Sequence, residues 1–270
     1  MQRAIGAWML ALQYFTRVPL PGPLARWAGF DAGLQRASLA HFPGIGLLVS
    51  AVATGVYAAA SRFLPHAALA PLVAATLSTA ATILLTGALH EDGLADTADG
   101  LGGSAQRERA LEIMKDSRVG TFGALALVLV VLTKVGVLAL IGAAAGWRAV
   151  AASLVGAHVL SRGLTLVLVR RLPYVGDTQQ SKSVAVAAQI EWSALAIAAA
   201  WCALGLALAV EAGSRGMVAA GSIAALIALA WIVRLFARRL QGYTGDCLGA
   251  AQQVCELAFY FGAAIALADG

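Results

Sequence analysis

The sequence predicts an all-α fold, a polytopic integral membrane bundle of about seven transmembrane helices forming one domain over residues 1–270. Three observations predict it. Of 270 residues, 60% are hydrophobic and only 12% are charged, whereas soluble domains carry roughly a quarter charged residues. Apolar runs long enough to cross a bilayer, which takes about 20 helical residues, recur along the whole chain. The basic residues flank those runs instead of forming an aromatic-interleaved patch, so a net charge of +5 reflects membrane topology and not nucleic-acid binding.

The chain opens with residues 1–36, a segment expected on the cytoplasmic side or at the interface. Within it, residues 4–18 are apolar but carry Gln13 and Arg17 and run into Pro19, which favours an interfacial helix over a span. Ile5 to Phe15 has no small-residue cleavage site after it, so no cleavable signal is expected. The seven predicted spans are 42–61, 67–89, 119–142, 148–169, 192–211, 216–233 and 247–268. Several are rich in Ala and Gly, which lets helices approach closely in lipid. Trp8, Trp147, Trp192 and Trp231 fall near run ends, as an interfacial belt requires. Cys202, Cys247 and Cys255 are odd in number and form no CxxC pair, so they read as small buried hydrophobes.

With the N-terminus inside, fourteen of the 19 basic residues fall on the cytoplasmic side, and Arg62, Arg148 and Arg215 fall on the other. Lys134 and Arg162 lie within spans. This asymmetry places segment 90–118 in the cytoplasm.

That segment holds half of the 14 acidic residues: Glu91, Asp92, Asp96, Asp99, Glu108, Glu112 and Asp116. Crowded carboxylates repel one another, and an oxygen-only donor set favours Mg²⁺ or Mn²⁺, commonly with phosphates. On a helix continuing from the second span, Asp92, Asp96 and Asp99 fall at i, i+4 and i+7, within roughly 60° of arc. Gly100, Gly102 and Gly103 break that helix. Glu108, Glu112 and Asp116 follow at four-residue spacing on a second one. Two acidic faces opposed across a glycine turn predict a site for one or two metals that clamps a phosphoryl group. Lys115 and Arg118 are candidates to hold phosphate oxygens, and His90 is a candidate base.

Other polar residues carry weaker signals. Arg162 and His158 share a face of the fourth span, and an intramembrane Arg points to an interior contact or a phosphate. Lys134 finds a candidate partner in Glu256. Asp246 either caps the last helix or completes the site. The loop from Pro173 to Lys182 lies on the same side, with Tyr174, Asp177 and Lys182 as nucleotide or corrinoid contacts.

With those residues in place, the chain resembles the cobalamin synthase (adenosylcobinamide-GDP ribazoletransferase) family. The resemblance rests on His90 to Gly103 and on Leu111 to Gly123, with Phe15-Thr16-Arg17-Val18-Pro19, Phe42-Pro43-Gly44-Ile45-Gly46 and Gly242 to Ala250 in support. It implies a Mg²⁺-dependent transferase of the bacterial inner membrane, with Mn²⁺ as a substitute and a cytoplasmic active site. The substrates implied are adenosylcobinamide-GDP and α-ribazole or its 5′-phosphate, and the products are cobalamin and GMP. Metal ligands expected on this reading are Glu91, Asp92, Asp96, Asp99 and Glu112, with Asp116 a ligand or base. The expected partners are those small molecules and the lipid bilayer, then a second copy of the chain or other cobalamin-assembly enzymes.

A more distant similarity is to the CDP-alcohol phosphotransferases. Asp96-Thr97-Ala98-Asp99-Gly100 fits the start of their motif, but Gly103-Ser104 stands where they have Ala-Arg. A cation transporter is the competing class. It is disfavoured because its ligands would sit at mid-membrane on broken helices, and here they cluster between spans.

Overall fold

The computed structural model describes residues 2–29, 31–176 and 190–267. Asp177 and Lys182 lie outside the described residues. The described elements are helices: α1 (Gln2–Phe15), α2 (Gly22–Ala28), α3 (Ala32–Leu39), α4 (Phe42–Phe63), α5 (Ala70–Thr86), α6 (Leu89–Gly103), α7 (Arg107–Ile113), α8 (Thr121–Arg171), α9 (Trp192–Ala212), α10 (Arg215–Arg239) and α11 (Gly245–Ile265). This is a membrane helix bundle. All seven predicted runs are helical. Among the described residues four helices (α4, α8, α9 and α10) are long and apolar enough to cross a bilayer, or five spans if the bent pair α5 and α6 counts as one. At 14 residues α1 is only about 21 Å long, short of a bilayer core.

Two of the predicted spans are fused in α8. Gly146 stands at the midpoint of its 51 residues with φ 79° and ψ 177°, a conformation open to glycine and strained for other residues. Lys134 and His158, twelve residues before and after it, both reach the carboxylate of Glu256. The two arms of α8 therefore run back along one another as a hairpin. Along the first arm Leu125, Val128, Leu129 and Leu132 are exposed at helical spacing, as are Ile223, Leu226 and Ile227 on α10. Such apolar stripes are what a lipid-facing surface requires.

The expected straight continuation of the second span into the acidic segment does not occur. Gly87 (φ 65°) and Ala88 (φ 58°) both adopt left-handed backbone, and α6 leaves α5 at 89°. The acidic helix thus turns across the end of the bundle and packs against α8 and α11. Inside, α11 is the hub, packed on α6, α8 and α10. Its carboxylate Glu256 is 1% exposed and gathers Lys134, His158, Gln252 and Tyr260. Gln252 also donates to Ser161 (3.1 Å), and Gln253 donates to Glu91 (3.0 Å). Arg162 donates to the His158 carbonyl at 2.9 Å and lies over the Phe42 ring at 5.4 Å. The interior pairing predicted between Lys134 and Glu256 is present.

Candidate functional site: an acidic face shared by two helices

The site forms where α6 crosses α11 on glycine. A Cβ on Gly93 would come within 2.7 Å of the Asp246 carbonyl oxygen, and one on Gly249 within 3.0 Å of the His90 carbonyl oxygen. With no side chains between them, the two backbones touch. Asp246, in the first turn of α11, is thereby brought beside Asp92 and Asp96 on α6. Thr244, not Asp246, is the N-cap, its hydroxyl accepting from the Cys247 amide at 3.4 Å. The Asp246 carboxylate is left to the site, with the Thr244 hydroxyl donating to it at 3.3 Å.

Electrostatics mark the result. Burial, then the neighbouring charges of Asp246, Asp92 and Asp99, push the Asp96 carboxyl up to about 7. Burial, with Asp92 adding to it, also raises Asp246. Among the described residues no Lys or Arg is paired with Asp92, Asp96 or Asp246. Like charges held together without a basic partner suit a hard divalent cation. Among the described residues no three His, Cys, Asp or Glu side chains close around one point as a finished metal cage.

The third aspartate of the motif has a different task. Asp99 is buried at 8% exposure and accepts the amides of Gly120 (2.7 Å) and Gly123 (2.8 Å) at the start of α8. A Cβ on either glycine would collide with that carboxylate, so both glycines belong to the aspartate. Asp99 locks the acidic helix to the N-terminus of the membrane hairpin, where the helix dipole also favours its charge.

The second acidic face does not oppose the first. Ala110 and Met114 face Gly100 of α6 and are buried. Glu108 and Glu112 sit two residues from these, about 200° around the helix, and point outward. Glu112 pairs with Arg109 at 2.9 Å, and both are exposed. Asp116 pairs with Arg118 at 2.6 Å, and the hydrogen bonds from the Arg118 side chain and backbone hold its carboxyl down to about 2. That leaves a poor base. Lys115 and Arg118 are exposed in the same connection. Glu91 turns away from Asp92 toward Gln253, into the interior network, and so is separated from the acidic face. His90 is 3% exposed, stacks on Phe42 (centroids 5.7 Å apart, planes at 6°), and is kept neutral by burial. Arg162 is sealed in the bundle at 2% exposure, a structural pairing and not a surface phosphate contact.

Sequence reasoning passed over Thr244, Gly93, Gly249 and the pair Gln252-Gln253. The glutamines gave a signal, since two adjacent amides in an apolar run need partners. The glycine crossing gave none that is local.

The model for the family described as cobalamin-5-phosphate synthase matches residues 7–264. The chain belongs to that family. It is 53% identical over 274 residues to the adenosylcobinamide-GDP ribazoletransferase of Polaromonas sp. strain JS666, covering 96% of each chain. It is 52% identical to the enzyme of that name from Polaromonas naphthalenivorans, over 99% of this chain and 100% of the relative. The Vibrio cholerae protein of the same name is 38% identical over 94% of this chain and 91% of its own length. No solved structure matches the chain. Membership of this family makes the chain a transferase of cobalamin biosynthesis.

Proposed function

We propose that the chain joins adenosylcobinamide-GDP to α-ribazole at the cytoplasmic face of the bacterial inner membrane, releasing GMP. The reading is carried by one observation: Asp92, Asp96 and Asp246 come from two helices to one acidic face, and among the described residues none of them has a basic partner. The names of the relatives supply the substrates. The orientation is supported by charge. The end bearing the site also bears Arg107, Arg118, Arg170 and Arg239, whereas Arg62, Arg148 and Arg215 mark the opposite ends of their helices.

In the reaction the 3′-hydroxyl oxygen of the nucleoside bonds to the phosphorus on the cobinamide aminopropanol arm, and the bond from that phosphorus to the GMP oxygen breaks. Asp92 and Asp96 are the residues to hold Mg²⁺, which when bound neutralises the pyrophosphate and the departing phosphate. Asp246, raised by burial, accepts the hydroxyl proton. Asp99 keeps α6 in register with the membrane hairpin. The test is purified protein in lipid with Mg²⁺, adenosylcobinamide-GDP and α-ribazole. GMP and a cobalamin product are expected. CMP release from a CDP-alcohol instead would assign the chain to phospholipid synthesis, and ion flux without chemistry would make it a transporter.

A further inference from the structure

A cavity of about 160 Å³ opens beside the acidic face. Asp92 and Asp246 stand at one side of it, and Phe15, Phe42 and His90 at another. Leu166 and Val169, from the second arm of α8, form an apolar wall. The aromatic side is ordered: Phe15 lies 4.0 Å from Phe42 with planes at 23°, and Phe42 lies nearly parallel to His90. Flat rings add to such a stack in offset geometry. Among the described residues no Lys or Arg lines the cavity, so none of them offers a phosphate a charged partner there. Ligand pockets for drug-sized molecules run to about 300–1,000 Å³, and a corrinoid is larger still. What fits is one neutral, planar ring system.

A second observation points to a ligand. The Nε2 atom of His90 is buried and has no hydrogen-bond partner. An unpartnered buried polar atom costs about 1–3 kcal/mol unless something else satisfies it. As the Nε2–H tautomer, the neutral imidazole offers a donor to a bare ring nitrogen.

We propose that this cavity is the subsite for the heteroaromatic base of the attacking nucleoside, with His90 reading the edge of the base and Leu166 and Val169 limiting its bulk. The assignment rests on the reaction proposed above, and it gives that reaction its geometry. A base seated against His90 leaves its sugar at Asp92 and Asp246, where the hydroxyl is needed.

The test uses the full chain in phospholipid nanodiscs, with α-ribazole binding by calorimetry and KM values from GMP release. Leu166→Phe fills the cavity. His90→Phe keeps the ring and its stack but removes the nitrogen, and it guards against a Leu166→Phe chain that does not fold. Each is expected to weaken α-ribazole binding and raise its KM about tenfold, the worth of one hydrogen bond or one lost fit. The KM for adenosylcobinamide-GDP should stay within about twofold. Leu166→Phe should also discriminate against a 5,6-dimethylbenzimidazole nucleoside more than against its unmethylated counterpart. Unchanged α-ribazole binding in both variants, or equal rises in both KM values, would overturn the subsite and leave the reaction standing. A wild-type chain that binds α-ribazole yet releases no GMP would overturn the reaction and leave the subsite.

Discussion

Two clusters of ionisable side chains in this molecule share residue types and differ in every other respect. In the interior, Glu256 pairs with Lys134 and His158, Arg162 donates to His158, and Gln252, Gln253 and Tyr260 tie Glu256 and Glu91 into one network. At the end of the bundle, Asp92, Asp96 and Asp246 gather with no basic side chain of the described residues paired to them. Burial forces balance on the first cluster, since an unpaired charge in an apolar bundle is expensive. The second stands partly in water and tolerates a repulsion that full burial would forbid. A closed cluster holds helices together. An open one is kept for a ligand.

The contrast is broken most sharply at Asp96. Asp96→Asn should lower GMP release by about a thousandfold or more, on the scale of losing a principal electrostatic group, while the protein inserts and melts as before. A large drop in melting temperature would instead class Asp96 with the structural charges. Glu256→Gln should do the reverse. It strands Lys134 in an apolar interior and should cost about 3–5 kcal/mol of stability, read as a lowered denaturation midpoint in detergent. Lys134→Met with Glu256→Met should recover much of that loss.

Acidity gives a subtler test. With its carboxyl near 7, Asp96 in the metal-free protein is mostly protonated below that pH and ionised above it. Mg²⁺ must displace the proton at lower pH, so its affinity should fall by up to about tenfold per pH unit below 7 and level off above. Calorimetry between about pH 6 and pH 8 checks this, and a flat profile would remove Asp96 from the cation site. The smallest effect is expected at Glu112→Gln and Asp116→Asn, within about threefold of wild-type turnover, because surface ion pairs contribute little. A loss matching that of Asp96→Asn would return α7 to the site.

The apolar runs were legible because hydropathy is a property of the segment itself. The interior ion pair was legible too, since two charges in apolar surroundings have few other remedies. The bend before α6 was hidden by apolar neighbours, with Gly87 its only local mark. The facing of α7 was misread from its acids, although Ala110 and Met114 carried the register. The approach of Asp246 to Asp92 depends on Gly93 meeting Gly249 across more than half the chain, which no local pattern encodes. Asp99 shared a face with the other aspartates, and only the structure pairs it with Gly120 and Gly123.

Gly146 has a bearing on how the chain is made. A single residue, followed at once by Trp147 and Arg148, joins two apolar arms. Any side chain at this position would be strained in the turn itself, so it would be felt as the hairpin forms, before it was felt in catalysis.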